Sequence, residues 1–289
     1  MNKEFTIGIE EEYMLCDIDS LELSDFADKI LSSLPHDLRS RFSYELLLSE
    51  IESNTDVCSS VDDAINDVCH KRNVLRKLGD DLGYKIGISG THPSSICENQ
   101  NFVSNKSYNW VVEQLNYYAK RNVTFSTHVH ISVPCKDSSI YITNAVRRWL
   151  PALLAISTNS PLFEGKITGM RSSRTFQFGA FPRTEIPPFI ESYEKYTDVV
   201  DNLIDSNAIT NPRQIWWKVR PNMSLGTVEL RVCDAQRSLR NVKMITAISQ
   251  ALIHRCYQDY LEEKKCPNPS LIYLNDALWK AARFDFNSL

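Results

Sequence analysis

Three short segments of this chain alternate apolar and charged or polar residues with a period of two, and they constrain the fold more than any other feature. In "TIGIEEEYM", Ile7, Ile9, Glu11 and Tyr13 share one face, while Gly8, Glu10, Glu12 and Met14 share the other. In "THVHISV", Val129, Ile131 and Val133 oppose His128, His130 and Ser132. In "GTVELRVCD", Val228, Leu230 and Val232 oppose Glu229, Arg231 and Cys233. Period two is the signature of strands with one face against a core. Helix-spaced segments separate them, above all Ser60–Leu82, whose stripe runs Ala64, Ile65, Val68, Val74, Leu75, Leu78 and Leu82 and ends at Gly83. This order predicts an α+β fold with a largely antiparallel sheet.

Each strand therefore presents a polar pair two residues apart on one face: Glu10 with Glu12, His128 with His130, Glu229 with Arg231. Paired carboxylates repel unless a cation neutralises them. A histidine pair is a poor choice for a surface that only has to be wetted. Carboxylate oxygens, imidazoles and an arginine fork together suit Mg²⁺ or Mn²⁺ and a phosphorylated substrate. A fourth segment, "FSYELLLSEIESNTDVC", adds Glu45 and Glu52. Seven positions apart, they share a helix face after two turns; a bulged or turned strand is the other way to bring them together. Glu50 is a weaker candidate. Arg171, Arg174 and Arg183 lie among aromatics and prolines in a segment that reads as irregular, Lys166–Pro188. "QIWWKVRPN" brings Trp216, Trp217, Lys218 and Arg220. The two tryptophans cannot both face one side of a strand, so at least one belongs to the core.

The further helices expected are Asp25–Leu34 with Ser24 as its cap, Tyr108–Arg121, a helix or helix pair over Ser138–Asn159 interrupted at Pro151, Glu191–Ser206 and Val242–Glu263. Further strands are expected at Tyr84–Ser89 and Ile215–Arg220. A net charge of −4 argues against a nucleic-acid surface. Neither GxxxxGK[ST] nor GxGxxG occurs, so a nucleotide would not bind through either loop. No apolar run approaches the length of a membrane span. The N-terminus has no apolar signal region, and none of the eight cysteines forms a CxxC pair. Reduced thiols in a cytoplasmic protein are the expectation.

"GIEEEYML", "ELLLSEIESNT", "GTHPSS", "THVHISVP", "MRSSRTFQFGAFPRTEIPPF", "IWWKVRPNMSLGTVELRVCDAQ" and "LWKAARFDF" stand in an order that resembles the YbdK-like carboxylate–amine ligases. These form the glutamate–cysteine ligase type 2 group of the glutamine synthetase-like superfamily. The resemblance covers nearly the whole chain and implies one ligase domain over residues 1–289. It implies a curved sheet forming an active-site funnel with helices behind it. It also implies ATP-dependent ligation of a carboxylate such as glutamate to an amine such as cysteine, through an acyl phosphate. Glu10, Glu12, Glu45, Glu52, His128 and Glu229 resemble the family's metal shell. Arg231 and Arg174 (or Arg171) resemble its catalytic contacts to phosphate. His130, Trp217 and Arg220 resemble substrate or nucleotide contacts. Family members usually continue past "AARF" into a mainly helical segment, whereas this chain stops at Leu289; the oligomeric state, a homodimer included, is left open. Two rival expectations are a Zn²⁺ hydrolase using His128, His130 and Glu10, and a non-catalytic nucleotide-binding protein that keeps the fold.

Overall fold

The computed structural model describes residues 4–284. Asp285 and Phe286 of the last family-like motif therefore lie outside the described residues. In chain order the elements are β1 (Ile7–Asp17), α1 (Ala27–Ser33), β2 (Phe42–Tyr44), β3 (Glu50–Asn54), α2 (Val61–Leu82), β4 (Tyr84–Gly87), α3 (Lys106–Leu115), α4 (Tyr117–Lys120) and β5 (Thr127–Ser132). They continue with α5 (Lys136–Val146), α6 (Leu150–Ser157), β6 (Leu162–Phe163), β7 (Lys166–Ile167), α7 (Arg174–Phe178), α8 (Tyr193–Asp205), β8 (Val219–Asn222), β9 (Thr227–Leu230), α9 (Leu239–Leu261) and α10 (Leu271–Arg283).

Seven strands form one antiparallel sheet in the order β2-β3-β1-β5-β9-β8, with β4 paired to the far end of β1. The period-two faces sort as the sequence predicts. Ile7, Ile9, Val129, Ile131, Val228 and Leu230 point to one side and pack against α2, α5, α6, α9 and α10. Each such fully buried side chain contributes about 1.5–3 kcal/mol of burial energy. The opposite side carries Glu10, Glu12, His128, His130 and Glu229.

Glu11 follows the apolar phase and is buried against the helix side. Arg72 of α2 meets it with two charge-assisted bonds, Nη2 to Oε1 at 2.7 Å and Nε to Oε2 at 2.8 Å, and the Tyr13 hydroxyl donates to Oε2 at 2.6 Å. Helix α2 begins at Ser60, whose hydroxyl accepts from the Asp63 amide, and ends at Gly83 with φ +80°, a conformation that costs glycine little. The one-residue offset between Glu11 and its neighbours Glu10 and Glu12, which lie on the opposite face, is thus locked from behind.

Several expectations are narrowed or corrected. The Glu45–Glu52 segment takes the second of its two expected forms, a turn after β2 that leads into β3, and its apolar residues explain why. Leu46 and Leu47 are buried in a cluster with Val123 and Phe125, and the backbone around them bonds to the 101–103 segment instead of to its own next turn. Tertiary pairing overrides helix propensity here. The 25–34 helix starts later, at Ala27, with no side-chain cap from Ser24. The 108–121 helix is broken at Asn116, which adopts φ +48°. The 138–159 segment is a helix pair, α5 and α6, with a 3-10 turn at Arg147–Trp149 between them and Pro151 in the first turn of α6. The strand expected over 215–220 begins only at Val219, after a 3-10 turn at Pro212–Gln214. The 166–188 segment is not wholly irregular, since it contains β7 and the short helix α7. Helix α10, which packs on α6, was not anticipated.

Candidate active site

Register lines the polar side chains up in a row across the sheet. Glu12 lies opposite Glu52, Glu10 opposite His128, His130 opposite Glu229, and Glu229 opposite Arg220. Directly paired residues have side chains about 5 Å apart at Cβ, close enough to share a ligand. Because β3 has the same period, Glu50 and Glu52 share the face, while Ile51 faces the helices. The turn between β2 and β3 brings Glu45 over the same spot.

Glu10, Glu12, Glu45, Glu50, Glu52 and His128 line a cavity of about 360 Å³ together with Arg174, Arg213, Trp216, Arg220 and Arg231, whereas His130 and Glu229 are buried behind this lining and reach it through Glu10, Arg220 and Arg231. Its two ends differ in charge. At one end Glu10 contacts His128 Nδ1 and His130 Nε2, each at 3.0 Å. Glu229, fully buried, takes Arg220 Nη2 at 2.7 Å and is also paired to Arg231. Burial opposes ionisation of Glu229, but Arg220 and then Arg231 outweigh it and hold the carboxyl well below its usual range. Glu10 is likewise held low: burial raises it, and the two histidines more than reverse this. His130 is pushed up, because Glu229 and Glu10 outweigh its burial. His128 is pushed down by burial and by Arg231.

The other end is short of positive charge. Burial raises Glu45 and Glu50 well above the usual carboxylate range; Glu52 adds most to the first and Glu12 to the second. Glu52 is pushed up to about 7 by burial and by Glu10. A carboxylate cluster that binds protons this readily favours a cation. Two groups have ligand atoms within 4.8 Å of one another: Glu10, His128 and Glu229, and Glu12, Glu52 and His128. Oxygen donors with a single imidazole fit Mg²⁺ or Mn²⁺ better than Zn²⁺. His130 stands in neither group; its Nδ1 lies 3.0 Å from the Thr227 hydroxyl. Ser126 donates to Glu12 at 2.5 Å and lies 2.7 Å from His128 Nε2, which orients both. Extending the period of "STHVH" by one step would have found Ser126.

Arg174 is buried and has no carboxylate partner among the described residues. Its Nη atoms reach the Val232 and Arg231 carbonyls at 3.4 and 3.3 Å, and its guanidinium lies 5.6 Å from the Phe178 ring. The Nε atoms of Arg174 and Arg231 have no hydrogen-bond partner among the described residues. Arg171, three residues earlier, is exposed and does not line the cavity. Trp217 is also elsewhere: it packs with Ile140, Tyr196 and Ile215 in the core, and Trp216 lines the cavity instead. A second, more apolar cavity of about 760 Å³ adjoins the first across Trp216 and Arg213, with Tyr193, Val200, Pro212 and Met223 in its walls. Sequence reasoning missed Arg213, Tyr108 and Asn222 at this junction: Arg213 sits in a 3-10 turn that carries no periodic signal, while Tyr108 in α3 and Asn222 at the end of β8 come together only in the tertiary fold.

The sheet and the helices behind it have the fold of glutamate–cysteine ligases. The structure superposes on a bifunctional glutathione synthetase from Pasteurella multocida with TM-score 0.70 at 13% identity, over 98% of this chain and 42% of that one. It superposes on a glutamate–cysteine ligase from Francisella tularensis, solved with AMP, with TM-score 0.69 at 13% identity, over 96% of this chain and 71% of that one. The family model of glutamate–cysteine ligase family 2 matches residues 6–288, and the chain belongs to that family. Relatives named "Putative glutamate--cysteine ligase 2" include one from Herpetosiphon aurantiacus, 34% identical over 97% of this chain and 73% of its own length. One from Thermobifida fusca is 34% identical over 99% and 73%.

Proposed function

We propose that the chain, taken as one ligase domain over residues 1–289, joins a carboxylate to an amine with ATP and Mg²⁺ (or Mn²⁺) through an acyl phosphate. The observation that carries this reading is one cavity with a carboxylate-rich floor at one end and guanidinium groups with unspent N–H donors at the other. In this assignment Glu10, His128 and Glu229 hold one divalent ion, and Glu12 and Glu52, with Glu45 beside them, hold another. The bound ions would supply the positive charge that neutralises phosphate oxygens as charge develops on them. Arg231 and Arg174 direct their unpartnered Nε–H groups at the transferring phosphoryl oxygens. Arg220 keeps Glu229 ionised and oriented, and His130 does the same for Glu10. The apolar cavity beside Trp216 takes the nucleoside.

The bond changes balance without any further reactant. A substrate carboxylate oxygen attacks the γ-phosphorus, and the bond to the β-phosphate oxygen breaks as ADP leaves. The amine nitrogen attacks the acyl carbon, the carbon–oxygen bond to phosphate breaks, and the amine releases a proton. Positioning and charge stabilisation are what a protein contributes to such a transfer. The names of the relatives support glutamate and cysteine as the pair to test first. The eight cysteines are all unpaired, and no helix among the described residues is long and apolar enough to cross a membrane. Both observations support a cytoplasmic location.

The test is ADP formation against a panel of carboxylates and amines with Mg²⁺. The reading expects ADP to depend on a carboxylate and to rise when the amine is added, with Glu52→Gln and Glu229→Gln each down at least about a hundredfold. No ADP with any pair, or full activity in both variants, would refute it.

A further inference from the structure

Four arginines line the carboxylate cavity, and three are engaged. Arg220 and Arg231 are paired to Glu229, and Arg174 donates to two carbonyls. The Arg213 guanidinium is different: it is exposed and has no hydrogen bond or ion pair among the described residues. It also lines both the carboxylate cavity and the apolar cavity beside it.

The backbone that carries Arg213 is held firmly. The Asn211 side chain accepts from the Arg213 amide at 3.0 Å, and Pro212 presets the turn. Arg220 Nη1 donates to the Arg213 carbonyl at 2.9 Å, which ties this turn to the guanidinium that holds Glu229. The main chain is therefore fixed relative to the carboxylate floor, while the side chain remains free to bind an anion.

We propose that Arg213 clamps the diphosphate of the nucleotide where the chain of phosphates passes from the apolar cavity to the carboxylate cavity. The proposal rests on the ATP reading above. A nucleotide whose base fills the apolar cavity and whose terminal phosphate reaches the carboxylate floor must cross the wall that the two cavities share. Arg220 also stands on that wall, but its charge is taken up by Glu229. Arg213 alone among the four brings an uncommitted planar fork, the geometry that binds two phosphate oxygens at once. A covering nucleotide would exclude water from this contact and strengthen it.

The experiment is titration calorimetry of ADP and of adenosine into the full chain, wild type and Arg213→Ala, with Mg²⁺ and again with EDTA. The proposal expects Arg213→Ala to weaken ADP about ten- to hundredfold while adenosine changes less than about twofold. The loss should persist in EDTA, which separates the arginine from the metal ions. Arg213→Lys should recover part of it. Unchanged ADP affinity in Arg213→Ala overturns the proposal and leaves the ATP reading standing, because wild type still binds. An equal fall for adenosine overturns it too, since the defect then lies in the nucleoside cavity. Wild type that binds neither ligand overturns both readings together.

Discussion

Replacing Arg72 by Met should unfold the back of the sheet more readily than any exposed charge change. Glu11 is 2% exposed at its side chain and Arg72 is 11% exposed. The methionine fills similar volume but removes both bonds to the Glu11 carboxylate. It also removes bonds to the Gln236 and Arg237 carbonyls, each 2.7 Å long, that tie α2 to the segment before α9. What remains for Glu11 is the Tyr13 hydroxyl. Breaking one partner of a buried pair costs about 3–5 kcal/mol, because the other charge is left uncompensated. For a chain of this size that lowers the melting temperature by about ten degrees. The double change Glu11→Met with Arg72→Met should recover much of the loss, since no buried charge is left over. Urea unfolding of the two variants measures this. A loss under about 1 kcal/mol for Arg72→Met, or a double variant no better than the single, would refute the placement of Glu11.

Further outcomes follow from the site and its surroundings. Lys218 is 6% exposed, and burial, with Arg174, pushes its ammonium down from 10.5 to about 7. The unfolded chain keeps that proton to near pH 10 and the folded chain loses it near 7, so stability should rise with pH between those values. Lys218→Met should accordingly gain about 2–4 kcal/mol at pH 7 and little near pH 10, read by urea unfolding at both. Mn²⁺ affinity, read by electron paramagnetic resonance, should fall at least about tenfold in Glu12→Gln but stay at the wild-type value in the Glu11→Met, Arg72→Met pair, since Glu11 faces the helices. Arg171→Ala should leave the rate of ADP formation within about twofold of wild type, whereas Arg174→Ala should lower it at least about a hundredfold.

The strand faces were legible because side chains alternate with period two whatever the surroundings, so Glu10 and Glu12 separated from Glu11 on the sequence alone. A carboxylate on the apolar face, as Glu11 is, needs a buried partner; that Arg72 supplies it depends on how α2 lies across the sheet. Glu45 entered the site through the family resemblance, and its route there was open between a helix and a turned strand. The run Glu45-Leu46-Leu47-Leu48 has helical propensity, and only the pairing with residues 101–103 forces it into a turn. Trp216 and Trp217 show the limit of periodicity. One had to be core, but with β8 starting at Val219 no strand phase runs through them to say which. The same holds for Arg171 and Arg174: Arg171 precedes the short helix α7, and that helix, which Arg174 opens, is too brief to leave a pattern. Helix α10 was obscured by Ile272, Tyr273 and Trp279, large apolar residues that remain exposed and blur its buried stripe.

On the proposed ligase reading, a substrate carboxylate is phosphorylated in the cavity between the glutamate floor and Arg231. Oxygen-18 carried in on the carboxylate of glutamate, or of whichever carboxylate the panel selects, follows that step. Transfer of the phosphoryl group to the carboxylate, followed by amine attack, places one labelled oxygen in each inorganic phosphate released, and mass spectrometry of that phosphate should find it. Phosphate that carries no label while amide and ADP accumulate would contradict the acyl-phosphate route.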